Sequence, residues 1–166
     1  MKFRSLLILS LALIFTLSAC DSDNNDDDPI NLPTDLGKME ASIDGVQWTA
    51  ASATANKTSV GQLNTLIVAG AKANADVLTM SLANSSGVFK VGTYDLSGDV
   101  LVSMSFTYGT DIAASYLATT GTVEIASINE DTVKGTFVFT ATNLGGESIT
   151  VTSGSFDVGY GINIHL

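Results

Sequence analysis

Few side chains in this sequence are of the types that carry covalent or metal chemistry, and those few stand apart. There is one cysteine, Cys20, and one histidine, His165. A Ser-His-Asp or Cys-His arrangement needs a histidine held rigidly between two partners. His165 instead sits in the alternating stretch "INIHL", where it reads as a solvent-facing polar residue. Zinc needs several His or Cys ligands together, and none cluster here. No glycine-rich phosphate loop of the strand–loop–helix kind occurs either. Carboxylates are plentiful, and two at a suitable spacing are enough for a glycosidase, but no pair stands out. Asp95 and Asp99 in "DLSGD", or Glu130 and Asp131 in "NEDT", offer oxygen ligands of the sort calcium takes. Both segments fall where hairpin turns are expected, and turns favour Asp for conformational reasons. The expectation is therefore no catalytic residue, no cofactor and no metal ligand set. Among the aromatics, Tyr94, Tyr108 and Tyr116 are the candidate ligand platform, since a phenol pairs an apolar ring with a polar tip. Trp48 shares a face with apolar neighbours and reads as a core anchor.

Cys20 has a telling context. Met1 to Arg4 carries two cations, Lys2 and Arg4; Leu6 to Leu17 is almost wholly apolar; Leu17-Ser18-Ala19 leads into the cysteine. A basic start, about a dozen apolar residues and a small-residue exit describe a secretory signal peptide over residues 1–19. The run is shorter than the ~20 residues a bilayer span requires. Leu-Ser-Ala-Cys resembles the bacterial lipobox, in which the cysteine is acylated on sulfur and becomes the new N-terminus. Three acyl chains at Cys20 would exceed the two signals that stable anchoring needs. The expected membrane partner is thus reached through a lipid. With its one thiol acylated, the remaining 147 residues could form no internal disulfide and would be held by packing alone.

After Cys20 the chain turns acidic, with five carboxylates in "DSDNNDDD". Asp21 to Gly37 also contains both prolines, Pro29 and Pro33. Like charges extend a linker and prolines stiffen it, so residues 20–37 are expected to be a disordered acidic tether. At full extension about seventeen residues would reach roughly 60 Å. Without Lys2 and Arg4, five lysines face seventeen carboxylates, a net charge of −12. Nucleic acid is excluded as a partner on these grounds, because phosphate binding needs clustered cations.

The folded domain is expected over residues 38–166, and its periodicity is two. Met39, Ala41 and Ile43 alternate with polar residues; Asp44-Gly45 interrupts; Val46, Trp48 and Ala50 follow. An Asp-Gly pair between alternating runs predicts a two-residue hairpin with both central residues at positive φ. That register pairs Ile43 with Val46 and Ala41 with Trp48. Similar alternation marks strands at 78–82, 100–108, 122–125 and 133–140, with a turn at Asn129-Glu130-Asp131. In "ITVTSGSFDV" the apolar positions change parity, which a β-bulge at Ser153-Gly154 would correct. No stretch has a helical pattern. Roughly ten short strands joined by Gly, Asn, Asp and Ser turns predict an all-β, antiparallel β-sandwich or small barrel. An outer-membrane barrel would need an apolar outward band, whereas the outward positions here are mostly Thr and Ser.

Four stretches, "ASIDGVQWTA", "VGTYDLSG", "GTVEIASINEDTVKGTFVFTAT" and "ITVTSGSFDV", together resemble a family of uncharacterised Bacteroidota lipoproteins, a domain of unknown function. The motifs are Ile43-Asp44-Gly45 with Trp48; Gly92-Thr93-Tyr94; Gly135-Thr136-Phe137; and Val151-Thr152 with Gly154 and Phe156. The resemblance covers most of residues 38–158 and implies a β-rich fold at the cell envelope, but no activity. It also favours the outer membrane, surface-exposed, because the acidic run after Cys20 resembles a surface-export signal. Asp21 directly after the cysteine supports the periplasmic alternative. The functional expectation is a lipid-anchored, non-enzymatic binding module for a glycan, peptide or partner protein. A structural or adhesive surface protein and a lipocalin-like carrier of an apolar ligand are the alternatives.

Overall fold

The Asp44-Gly45 turn joins the first two strands where the sequence places it. Asp44 and Gly45 have φ of 49° and 83°, and Ile43 faces Val46 and Ala41 faces Trp48 across the hairpin. These contacts come from a computed structural model that describes residues 37–161, apart from positions 86 and 99 and the side chain at 112. Residues 1–19, where a signal peptide is expected, Cys20, the acidic segment up to Leu36, Asp99 and His165 lie outside the described residues.

Ten strands occur among the described residues, with no helix beyond a single 3-10 turn at Ile112–Ala114. They are β1 (Lys38–Ile43), β2 (Val46–Thr49), β3 (Ser52–Val60), β4 (Leu63–Ala71) and β5 (Val77–Asn84). The remainder are β6 (Gly92–Asp95), β7 (Leu101–Thr107), β8 (Ser115–Ile128), β9 (Thr132–Thr142) and β10 (Ser148–Gly159). They form one antiparallel sheet in the order β2-β1-β10-β9-β8-β7-β5-β4-β3, and β6 adds to β8. Of sandwich and barrel, the single curled sheet is what the chain builds. The curl brings β3 back to the end of β10, where Gly161 N–H donates to Ala55 O at 2.9 Å and Tyr160 bridges Ala55 in parallel.

The curl follows from bulges, which bend a strand and increase its twist. β10 slips register between Val151 and Gly154, with Ser153 at φ 52°. The extra residue returns Phe156 and Val158 to the side that Ile149 and Val151 occupy, and all four are buried. Further slips occur in β1 between Glu40 and Ser42 and in β8 after Ala118 and Ile125. The concave face then encloses one core. Leu66, Val68, Leu78, Met80, Leu82, Met104, Phe106, Val123, Ile125, Val133, Phe137 and Phe139 all bury within it.

Turns sort to two rims. One rim carries the turns at 44–45, 72–76, 108–114 and 143–147. The other carries those at 61–62 and 129–131, together with Gly37 and Gly161. The chain thus enters the domain at the second rim and presents the first on the far side.

Candidate functional site

The first rim is assembled by four turns distant in sequence, and each is fixed by backbone hydrogen bonding. Asp44 N–H donates to Thr150 O at 2.9 Å, and Asp44 Oδ1 accepts from Thr150 N–H at 2.7 Å. This stitches the β1–β2 turn onto β10. Between β4 and β5, Lys72 N–H donates to Asp76 O at 2.9 Å. Asp76 is the buried charged residue among those described. Its Oδ1 accepts from Gly109 N–H at 2.9 Å, and its Oδ2 accepts from Asn74 Nδ2 at 3.0 Å. A carboxylate taking donors from two segments ties the β4–β5 turn to the β7–β8 connection, and such charge-assisted bonds are the strong kind.

Over this frame runs a chain of edge-to-face aromatics. Trp48 meets Phe106 at 6.1 Å, Phe106 meets Tyr108 at 4.6 Å, and Tyr108 meets Tyr116 at 6.0 Å. Trp48 and Phe106 are buried, whereas Tyr108 is 42% exposed. Beside Tyr108 opens a cleft of about 290 Å³, walled by Val46, Gln47, Trp48, Lys72, Asp76 and Phe106 among others. Tyr116 OH donates to Glu147 Oε2 at 3.3 Å, and Asn143 Nδ2 donates to the same oxygen at 2.8 Å.

The electrostatics keep both phenols protonated. Burial pushes the Tyr108 hydroxyl above its ordinary value, and the charges of Asp44 and Asp76 add to the effect. Tyr116 is raised by burial first and by Glu147 next. Asp44, Asp76 and Lys72 line the cleft together. The site is therefore a stacking surface surrounded by hydrogen-bond acceptors and neutral hydroxyls. Such a surface can hold a ligand that has one apolar face and several hydroxyl or amine donors.

Of the three tyrosines singled out from sequence, the fold brings two together. Tyr108 lines the cleft, and Tyr116, itself buried, packs edge-to-face against it. Tyr94 lies on β6 opposite Val123, seven residues and about 23 Å along β8 from Tyr116. Its hydroxyl closes a local loop, donating to Lys90 O at 2.7 Å and accepting from Lys90 N–H at 3.0 Å. Trp48 is the core anchor its pattern implied, at 3% exposure. The cleft residues Gln47, Lys72 and Asp76 were not singled out from sequence; the turn-like "KANAD" between two apolar runs was the available signal for the last two.

The segments weighed for calcium are turns whose backbone groups are hydrogen-bonded. Asn129 Oδ1 accepts from Asp131 N–H and Thr132 N–H, both at 2.8 Å, so the Glu130-Asp131 turn is organised by an Asn side chain. Asp95 O accepts from Gly98 N–H at 3.0 Å, and Asp99 is outside the described residues. Among the described residues no three His, Cys, Asp or Glu side chains come together as a metal site.

A curled antiparallel β-domain with an aromatic rim is the class these features define. The family model of a domain of unknown function, DUF6252, matches residues 37–158, and the chain belongs to that family. Neither the curated proteins nor the solved structures gave a match to the chain.

Proposed function

We propose that this chain is a lipid-anchored β-domain of the bacterial cell envelope, of the Bacteroidota type, that binds a glycan without catalysing its conversion. The cleft beside Tyr108 is the binding site. The observation that carries the reading is a 42% exposed tyrosine backed by a buried aromatic chain and ringed by acceptors. A sugar ring has an apolar face for the phenol and hydroxyls for Gln47, Asp44 and Asp76. Anchoring rests on Leu17-Ser18-Ala19-Cys20 and the acidic segment that follows. The acidic run favours the outer surface of the outer membrane.

Three measurements test this. Cys20→Ala should abolish palmitate incorporation; unchanged labelling would remove the anchor. Protease treatment of intact cells should release the domain, and full protection would place it in the periplasm. A glycan array should give reproducible binding that Tyr108→Ala abolishes, without change in thermal unfolding. Binding unaffected by that substitution would overturn the assignment of the cleft.

The structural or adhesive reading is favoured by a separate observation: the turn and core-facing residues of the family motifs are committed to the fold. Asp44 and Gly45 make the turn, Trp48 fills the core, Tyr94 closes its loop, and Gly135, Phe137, Gly154 and Phe156 pack on one another. An array without reproducible binding would select this reading. The carrier reading has less behind it, since Phe106, Phe137 and Met39 occupy the domain interior.

A further inference from the structure

β2 stands at one end of the sheet path, and among the described residues no strand pairs with its outer edge. The hairpin decides which backbone groups that edge presents. In a two-residue hairpin the closing pair, here Ile43 and Val46, is hydrogen-bonded, and bonded pairs recur at every second residue. Trp48 therefore bonds to Ala41, and Ala50 to Met39. The last bond is direct, with Ala50 N–H donating to Met39 O at 2.9 Å. Gln47 and Thr49 lie between the bonded positions, so their N–H and C=O groups turn to the outer edge.

The edge is short. Ala51 N–H donates to Ala71 O at 2.8 Å, which hands the chain over to β4 just past Thr49. Gly70 of β4 lies so near that a Cβ on it would stand 3.1 Å from both Trp48 and Ala50. Gln47 lines the cleft beside Tyr108, and Thr49 does not. Side chains alternate along a strand, so the Gln47 side chain leaves on the face opposite Val46 and Trp48. Val46 and Trp48 line the same cleft, and what Gln47 can share with them is its edge-facing backbone.

We infer that the Gln47 main chain is the specificity-determining group of the cleft, and that it reads two free hydroxyls on neighbouring carbons of a neutral sugar ring. This rests on the glycan reading of the cleft. The N–H and C=O of one extended residue point the same way, one donor beside one acceptor. A vicinal diol matches that pair, since one hydroxyl accepts from the N–H while its neighbour donates to the C=O. An acetamido group does not, because the N–H and C=O of a trans amide point in opposite directions. A carboxylate only accepts and an ammonium only donates, so each would leave one of the two groups unmet. A peptide strand needs further rungs, and the edge offers the cleft a single residue. With the diol held at Gln47, the apolar face of the ring is free to lie on Tyr108.

Binding of methyl glucoside, galactoside and mannoside, each with its monodeoxy derivatives, to the purified full-length chain in detergent tests this. Removing either hydroxyl of one adjacent pair should weaken binding by about tenfold or more, and removing the others should change it little. Gln47→Pro deletes the outward N–H while sparing the ladder to β1, a place where an edge strand tolerates proline. It should weaken the parent glycoside by a similar factor and the deoxy glycoside hardly further, whereas Gln47→Ala should bind as the parent does. Exchange of the Gln47 amide should slow on sugar binding, a readout that does not depend on the proline variant folding. Equal binding of all deoxy derivatives, or no change in Gln47 exchange on sugar binding, would overturn the inference and leave the glycan reading standing. Binding of no glycan at all would overturn both.

Discussion

Phe156 on β10 lies directly opposite Gly135 on β9, and its ring takes the space that a side chain at 135 would fill. A Cβ built on Gly135 would stand 2.5 Å from Phe156 Cζ. The relationship is reciprocal two rungs away. Gly154 faces Phe137 across the same pair of strands, and a Cβ there would meet Phe137 O at 2.5 Å and its ring besides. The two rings stack at 6.4 Å and 28°. Each strand supplies one glycine and one phenylalanine, so the Gly-Thr-Phe and Gly-x-Phe motifs are two halves of one packing device. Aromatic cover of a strand glycine also screens the backbone that the missing side chain leaves bare.

Gly135→Ala and Gly154→Ala should each lower the unfolding free energy by about 2–3 kcal/mol, since the clash involves backbone as well as ring and cannot be relieved by a rotamer change. Phe156→Ala should cost about 3–5 kcal/mol. The double variant Gly135→Ala/Phe156→Ala should be less destabilised than the sum, because removing the ring relieves part of the overlap. Urea denaturation of the four proteins measures this, and strict additivity would mean that the residues do not share the space.

Asp44 does two jobs, adopting φ 49° and accepting the Thr150 N–H at 2.7 Å. Asp44→Ala should cost about 2 kcal/mol, from the left-handed backbone and the lost acceptor together. Asp44→Asn keeps both the conformational tolerance and a side-chain oxygen, and should stay within about 1 kcal/mol of the parent. Equal melting temperatures for the Ala and Asn variants would show that the bond to Thr150 contributes nothing.

How far such features could be read beforehand depended on how local they were. The Asp44-Gly45 hairpin, its register and the Ser153 bulge were legible because turn chemistry and alternation act over a few residues. β3 and β4 were not singled out. β3 is a sheet edge whose interior-side residues are Ala53, Ala55, Lys57 and Ser59, so it carries little apolar alternation. β4 reads as an unbroken apolar run, "LIVAG", with Ile67 39% exposed on the outer side. The cleft was only half legible. Tyr108 and Tyr116 were visible as amphipathic aromatics, but Asp76, Lys72 and Gln47 reach them through turns that only the curl of the sheet brings together.

Ala75 offers a gain in stability. It holds φ 66° in the β4–β5 turn, where Ala75 N–H donates to Lys72 O at 3.0 Å. An alanine in this region is strained by roughly 1–2 kcal/mol, whereas glycine adopts it freely but loses more entropy on folding. The net expectation for Ala75→Gly is a stabilisation of about 0.5–1 kcal/mol. A lower melting temperature for the variant would show that the turn tolerates the alanine without strain.

Tyr160 links the end of the described chain to the alkaline limit of the fold. Its hydroxyl is buried without a hydrogen-bond partner among the described residues, and Lys57 Nζ lies 4.1 Å from the ring centroid. Burial raises its pKa from 10.0 to about 12. Between those values the unfolded chain releases the phenolic proton while the folded chain retains it, so unfolding is favoured as pH rises. The stability linked to Tyr160 is therefore complete below pH 10 and is lost as pH climbs toward 12. Tyr160→Phe removes the titrating group along with an unpartnered hydroxyl, and should change the melting temperature little at pH 7. Above pH 10 the variant should outlast the parent, by a margin that widens with pH. Thermal melts of both proteins across that range decide the matter, and parallel losses would mean that Tyr160 is solvated in the folded state.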